Sequence, residues 1–209
     1  MHLISGWGYP VSALTPLRKA LLPRFDLEIH PFTTDPAALV PPHEPWWLAG
    51  WSLGGMKAMQ AIADETLRPE GLLLIASTAR FCANTDYDCG VEHIILRQMM
   101  SRMLRHREKV LARFFELAGM VTHSDFTDEE LMRGLKFLDE MDLRDALTNI
   151  DLPVLLVHGT HDHIIPVEAS IYLRDHLPDA RLLIHEGAGH DLPAREYAWL
   201  AKQLNDQFT

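Results

Sequence analysis

The hexapeptide Gly50-Trp51-Ser52-Leu53-Gly54-Gly55 constrains what this chain can fold into more than any other stretch. Ahead of it, Trp46-Trp47-Leu48-Ala49 is short, apolar and starts just after Pro45, which predicts a buried strand. Behind it, Met56, Met59, Ala63 and Leu67 fall near one face at helical spacing, which predicts a helix over 56–64. A G-x-S-x-G between strand and helix makes a turn so tight that only small residues fit on either side of the serine, hence Gly50 and Gly54. Such a turn lifts the Ser52 hydroxyl above the sheet edge. It also aims the free N–H groups of a helix N-terminus at developing negative charge. Three fixed positions recur by chance, so the pentapeptide alone also fits a glycine-rich turn with an incidental serine. The flanking strand and helix are what favour a nucleophile.

The rest of the chain supplies a sheet for that turn. Residues 2–5 predict a short strand, which runs into the turn chemistry of Gly6-Trp7-Gly8-Tyr9-Pro10. A helix over 17–22 can be capped by Ser12 or Thr15, and the alternation over 25–30 predicts a second strand. Residues 33–45 are proline-rich and aperiodic, a loop. Residues 71–76, with Leu72-Leu73-Leu74-Ile75, form another buried strand. Strand, helix, strand, loop, strand, helix, strand is the order of a parallel sheet. Residues 77–150 interrupt it with no convincing strand. They predict one helix over 92–120 and a second, carrying Leu131, Leu135 and Leu138, opened by the capping box Thr127-Asp128-Glu129-Glu130. The sheet resumes at 152–158, followed by a helix over 167–176, a strand over 181–185 and a closing helix over 195–207. The expectation is one α/β domain over residues 1–209, with a helical insertion at about 78–150.

Two further residues fall where open α/β sheets place their sites, beyond the carboxyl ends of parallel strands. Asp162 lies in His158-Gly159-Thr160-His161-Asp162-His163, and His190 in Gly187-Ala188-Gly189-His190-Asp191. Singly, an Asp in a loop is most often a turn residue and a His a surface residue. Jointly, Ser52, Asp162 and His190 come in chain order, each at a strand end. That supplies a nucleophile, a base that works near neutral pH, and a carboxylate to fix the base's tautomer and stabilise its imidazolium. The oxyanion such chemistry creates needs two N–H donors. Leu53 supplies one, and the Gly6-Trp7-Gly8 turn the other, through Trp7. A plain turn around a core Trp is the alternative for that segment. His158, His161, Asp162 and His163 also resemble a metal-ligand cluster, but they sit in one short loop, and no Cys or Glu completes a familiar spacing. The histidines are expected to be partly buried supports of the acid loop. No metal and no cofactor is expected.

Composition narrows the partners. A formal net charge of -10 argues against nucleic acid. No apolar run approaches the ~18 residues of a membrane span, and the first residues lack the basic and apolar regions of a signal peptide. Two cysteines, Cys82 and Cys89, are too few for a disulfide framework and are expected as reduced thiols in a cytoplasmic protein.

Several stretches together resemble a known family: Ser5-Gly6-Trp7-Gly8, Gly50-Trp51-Ser52-Leu53-Gly54-Gly55, Ile75-Ala76-Ser77 with Cys82 after it, Val110-Leu111-Ala112-Arg113-Phe114-Phe115, and the Asp162 and His190 loops. They look like the biotin-pathway carboxylesterases of the α/β-hydrolase superfamily, which cleave the methyl ester of pimeloyl-acyl-carrier protein. The resemblance implies an α/β-hydrolase fold, a mostly parallel sheet flanked by helices, with Ser52, Asp162 and His190 as the triad and Trp7 and Leu53 as oxyanion donors. It also implies a helical lid over an acyl pocket that Trp7 and Phe114 line, with basic residues that meet the acidic carrier protein. Ser5-Gly6 stands where the family has His-Gly, and the chain starts directly at that strand, so the fold's first two strands are expected to be absent. Taking 97–117 as one helix of 3.6 residues per turn puts Arg102, Arg105, Lys109 and Arg113 on the side opposite Met99, Met103, Val110, Phe114 and Leu117. A break near His106 would rotate Arg102 and Arg105 away from Lys109 and Arg113. A solvated basic face is the plain alternative to a carrier-protein surface. Two alternatives in function remain: an esterase or thioesterase for small free acyl esters, and a binding module that kept the fold without turnover.

Overall fold

Short apolar runs covered on both faces become the centre of the sheet. The structure, a computed structural model, describes residues 1–22, 24–41, 43–120 and 122–207. In chain order its main elements are β1 (His2–Ile4), α1 (Thr15–Leu21), β2 (Glu28–His30), β3 (Trp47–Trp51), α2 (Leu53–Ala63), β4 (Gly71–Ile75), α3 (His93–Ala118), α4 (Asp128–Glu140), β5 (Val154–Gly159), α5 (Val167–His176), β6 (Ala180–His185), α6 (Leu192–Arg195) and α7 (Tyr197–Gln207). The strands form one sheet in the order β2-β1-β3-β4-β5-β6, and every pairing is parallel. Every residue of β4 and β5 is buried, which requires cover on both faces and is why these strands read as unbroken runs of Leu, Ile and Val. The edge strands β2 and β6 keep half-buried and exposed positions.

Boundaries moved where pairing, not propensity, decides them. The strand expected over 25–30 shrinks to Glu28–His30, because β1 offers three residues and its His2 pairs with Glu28. Helix α2 begins at Leu53, directly after Ser52, three residues before the apolar repeat becomes visible.

Between β4 and β5 the described residues form isolated bridges, Arg80 with Asp142, Cys82 with Val91 and Asn84 with Tyr87, the helices α3 and α4, and a short 3-10 helix over Arg144–Asn149. Helix α3 is broken at His106 (φ −142°, ψ 40°) and ends at Gly119 in the left-handed region. Helix α4 opens with the expected capping box: the Thr127 side chain accepts from the Glu130 N–H, and the Glu130 carboxylate accepts from the Thr127 N–H. Arg107 fastens the connection by donating to the carbonyls of Ser124 and Phe126 and pairing with Asp128 at 2.9 Å. At the base, Asp142 accepts from Arg80 at 2.6 Å and from Arg144 at 2.7 Å. Among the described residues no helix is long and apolar enough to cross a membrane. Cys82 and Cys89 are both free.

Candidate active site

Ser52 sits at the turn from β3 into α2 with φ 56° and ψ −122°, a conformation that costs a non-glycine residue of order 1–3 kcal/mol. The surroundings hold it there. A Cβ on Gly50 would lie 2.4 Å from the Gly55 Cα, and one on Gly54 2.1 Å from the Ile4 carbonyl oxygen. The backbone is therefore packed too closely for any side chain at either position. The Ser52 N–H donates to the Ile75 carbonyl at 2.9 Å, and the Ser77 hydroxyl donates to the Ser52 carbonyl at 2.8 Å. Ser77 lies just past β4, as Ser52 lies just past β3. That shared strand-end position was the signal in the sequence for this brace.

Asp162 and His190 meet across the sheet edge. His190 Nδ1 lies 2.7 Å from Asp162 Oδ2, with both side chains fully buried. The other carboxylate oxygen accepts from the N–H groups of Ile164 and Ile165 at 2.8 and 2.9 Å. Burial works to raise the affinity of this carboxyl for a proton. The facing His190 and the bonds from His158 and His190 outweigh it, holding Asp162 well below the usual carboxylate range. The His190 carbonyl accepts from the Trp51 indole at 2.9 Å, tying the histidine loop to the neighbour of Ser52. His190 Nε2 is buried and has no hydrogen-bond partner among the described residues, Ser52 Oγ included.

The oxyanion expectation concerns two backbone N–H groups. Neither the Trp7 nor the Leu53 N–H donates to another group of the chain among the described residues. Trp7 is buried, its indole N–H donating to the Leu131 carbonyl of α4 at 2.8 Å and its ring packed edge-on against Phe114 at 5.0 Å. Gly134, one turn along α4, leaves room for that indole: a Cβ there would come within 2.5 Å of Trp7 Cδ1.

A cavity of about 510 Å³ opens over Ser52. Trp7 and Phe114 line it as expected, with Met99, Val110 and Leu117 among the other apolar walls. Arg102, Lys109 and Arg113 line the same cavity, so the opposition of a basic face to the apolar one is corrected. The cause is spacing along α3: Arg102, His106, Lys109, Arg113 and Leu117 recur at steps of three and four residues, and so share a face with Met99 and Val110 across the irregular residue at His106. Arg105 is exposed and outside that lining. Arg113 is paired with Glu116 at 2.7 Å.

The histidine loop does not gather as a ligand group among the described residues. His158 is the one that supports the acid: it is fully buried, lies 3.2 Å from Asp162 Oδ2, and is held by Ser170 at 2.6 Å and the Ile165 carbonyl at 2.9 Å. His161 and His163 are exposed and give no such support, a correction to the expectation for the group. His158 belongs to the buried strand β5, whereas His161 and His163 lie in the loop beyond it.

Comparison with known proteins gives the family. Residues 4–203 match the alpha/beta hydrolase family. Among curated relatives, a pimeloyl-[acyl-carrier protein] methyl ester esterase of Nitrosomonas europaea is 33% identical over 159 residues, which cover 68% of this chain and 63% of that protein. One of the same name from Neisseria meningitidis is 31% identical, covering 91% of this chain and 86% of that protein. The chain thus aligns with less than two thirds of the Nitrosomonas relative's length. Among solved structures, an esterase from Exiguobacterium antarcticum superposes with a TM-score of 0.83 over 99% of this chain and 91% of its own, at 18% identity, a likeness of fold. By its sheet order, its strained serine turn and these matches, the chain belongs to the alpha/beta hydrolase family.

Proposed function

We propose that the protein is a serine carboxylesterase that hydrolyses the methyl ester of a pimeloyl chain carried on acyl-carrier protein. The observation that carries the chemistry is the Asp162–His190 pair, with a buried, unpartnered Nε2, on a loop tied through the Trp51 indole to the strained Ser52 turn. Ser52 Oγ attacks the ester carbonyl while His190 Nε2 takes its proton, and the same nitrogen returns that proton to the leaving methanol. Asp162, kept ionised, stabilises the imidazolium that forms between these steps. The Trp7 and Leu53 N–H groups stabilise the negative oxygen of the tetrahedral intermediate. Water, activated by His190, then releases the acid and restores Ser52. No metal or cofactor enters these steps. In this reading α3 and α4 are the lid, the apolar walls around Phe114 hold the acyl chain, and Arg102, Arg105, Lys109 and Arg113 face the carrier. The names of the relatives support the substrate.

A second reading, an esterase for small free acyl esters, is favoured by one observation: Arg102, Lys109 and Arg113 line the cavity itself, where they can serve a bound ester directly. Ser52→Ala tests the chemistry. It is expected to lose p-nitrophenyl butyrate turnover by several orders of magnitude, with melting nearly unchanged and labelling by a fluorophosphonate abolished. Retention of more than about a tenth of wild-type kcat overturns the mechanism. Growth rescue of a biotin-auxotrophic host lacking its own esterase tests the substrate.

A further inference from the structure

Away from the cavity, at the sheet's β1–β2 edge, three side chains meet that the proposed esterase chemistry does not use. Glu28 and His30 stand two apart on β2 and therefore share a face of the sheet. His2 lies directly opposite Glu28 on β1. His2 Nδ1 and His30 Nε2 point at each other at 2.9 Å. The Glu28 carboxylate straddles them, one oxygen 3.6 Å from His2 and the other 3.7 Å from His30. The two imidazoles are largely shielded, while Glu28 opens to solvent, so the group has a built wall and an entry.

We infer that His2, Glu28 and His30 form a binding site for a divalent transition-metal ion of the zinc class. Two imidazoles and a carboxylate are a donor set that zinc takes, with one position left for water. The geometry is close. Zinc–nitrogen distances of 2.0–2.1 Å at a tetrahedral angle put two ligand atoms about 3.3 Å apart. The histidine nitrogens would part by about 0.4 Å, and the exposed Glu28 side chain would turn one oxygen inward, from donor atoms that all lie within 4.8 Å of one another. Around His2 the Glu28 and Asp26 carboxylates favour a cation. The opposing charge nearby is the Met1 ammonium.

A second trio, Cys82, His93 and Asp139, brings donor atoms equally close. There, however, the Arg97 guanidinium donates to His93 Nε2 at 3.3 Å, and Arg80 bonds the Cys82 carbonyl at 2.8 Å. Those two fixed cations oppose a metal ion at that trio.

A metal ion at His2, Glu28 and His30 would clip the edge strand β2 to β1. The Ser5 N–H already donates to the His30 carbonyl at 2.8 Å, and the Gly6-Trp7-Gly8 turn follows at once. Binding would therefore stiffen the strand that leads into the cavity floor and raise the melting temperature.

The test uses the untagged full chain, stripped with chelator and dialysed. Zinc uptake is followed by equilibrium dialysis with elemental analysis, and the ligand field by cobalt absorption. The expected result is one zinc per chain at micromolar metal, a melting temperature that rises with zinc, and tetrahedral cobalt bands. Glu28→Gln and His30→Gln should each weaken uptake at least about tenfold, and Cys82→Ser should leave it intact. Glu28 is exposed, so Glu28→Gln carries the test even if His30→Gln fails to fold. No uptake by the wild type, unchanged uptake in Glu28→Gln, or loss of uptake in Cys82→Ser each overturns the inference.

Discussion

Gly50 and Gly54, on the sheet side of the cavity, have no room for one added carbon, and Ser52 between them keeps a backbone conformation that its neighbours enforce. On the helical side, Arg102, Lys109 and Arg113 are exposed on a helix that loses its regularity at His106. Both sides line one cavity. The sheet side is held by backbone contacts across four parallel strands, which leave each reacting group a single position. The helical side is held by side chains: the Trp7 indole on Leu131, Arg107 on the α3–α4 connection, and Arg80 and Arg144 on Asp142 at the base. Chemistry that tolerates errors of a few tenths of an ångström belongs on the first side, and recognition that varies between substrates on the second.

The sharpest way to break this contrast is to change the sheet side without moving it. Asp162→Asn keeps the shape but presents His190 with the wrong tautomer. It is expected to lower kcat by about 10⁴, with little change in KM, as removal of the carboxylate charge does in a serine triad. Steady-state kinetics on p-nitrophenyl butyrate measure it. A loss below about tenfold would mean that Asp162 is not the acid of a triad.

On the helical side, charge reversal separates docking from pocket. Arg105 lies outside the cavity lining, whereas Lys109 and Arg113 line it. Arg105→Glu is expected to raise KM for an acyl-carrier-protein substrate by roughly tenfold, to leave the small ester unaffected, and to flatten the salt dependence of kcat/KM. Lys109→Glu with Arg113→Glu should raise the carrier KM further. If the double variant loses both substrates equally, these cations serve the pocket, and the free-ester reading gains.

Two stability measurements grade the attachment of the helices to the sheet. Gly134→Ala gains roughly 1 kcal/mol of helix propensity, but its Cβ meets the Trp7 ring at 2.5 Å. Overpacking of a buried contact costs typically 1–3 kcal/mol, so the net is expected to be destabilising, with reduced turnover as Trp7 shifts. Urea unfolding gives the sign. Asp142→Asn is expected to cost about 1 kcal/mol at pH 7 by releasing Arg144 and Arg80. The Arg144 bond, aided by Arg80 against the opposing effect of burial, holds the Asp142 carboxyl well below the ordinary range. A carboxyl depressed in the fold stabilises above its unfolded value of about 3.9 and loses that contribution as pH falls through it. The difference in melting temperature between wild type and variant should therefore shrink below about pH 4. A difference that grows towards acid would reverse the assignment.

Sequence alone determined the features that depend on neighbours along the chain. The parallel order of elements, the glycine-flanked turn at Ser52, the capping box at Thr127 and the strand-end positions of Asp162 and His190 were legible, because backbone sterics and hydrophobic period act over a few residues. Only the tertiary structure decided the rest. Packing on the sheet decided which face of α3 covers the cavity, and with it that Arg102, Lys109 and Arg113 line it beside the apolar residues. Three histidines that looked alike in one loop separated into a buried brace, His158, and the exposed His161 and His163. Ser77 beneath the Ser52 carbonyl, the Asp162–His190 bond and the meeting of His2, Glu28 and His30 all join residues far apart in sequence. Their distances are set by sheet register and helix packing, which close the chain on itself. A linear pattern carries the chemistry of each residue but not the few tenths of an ångström between two of them.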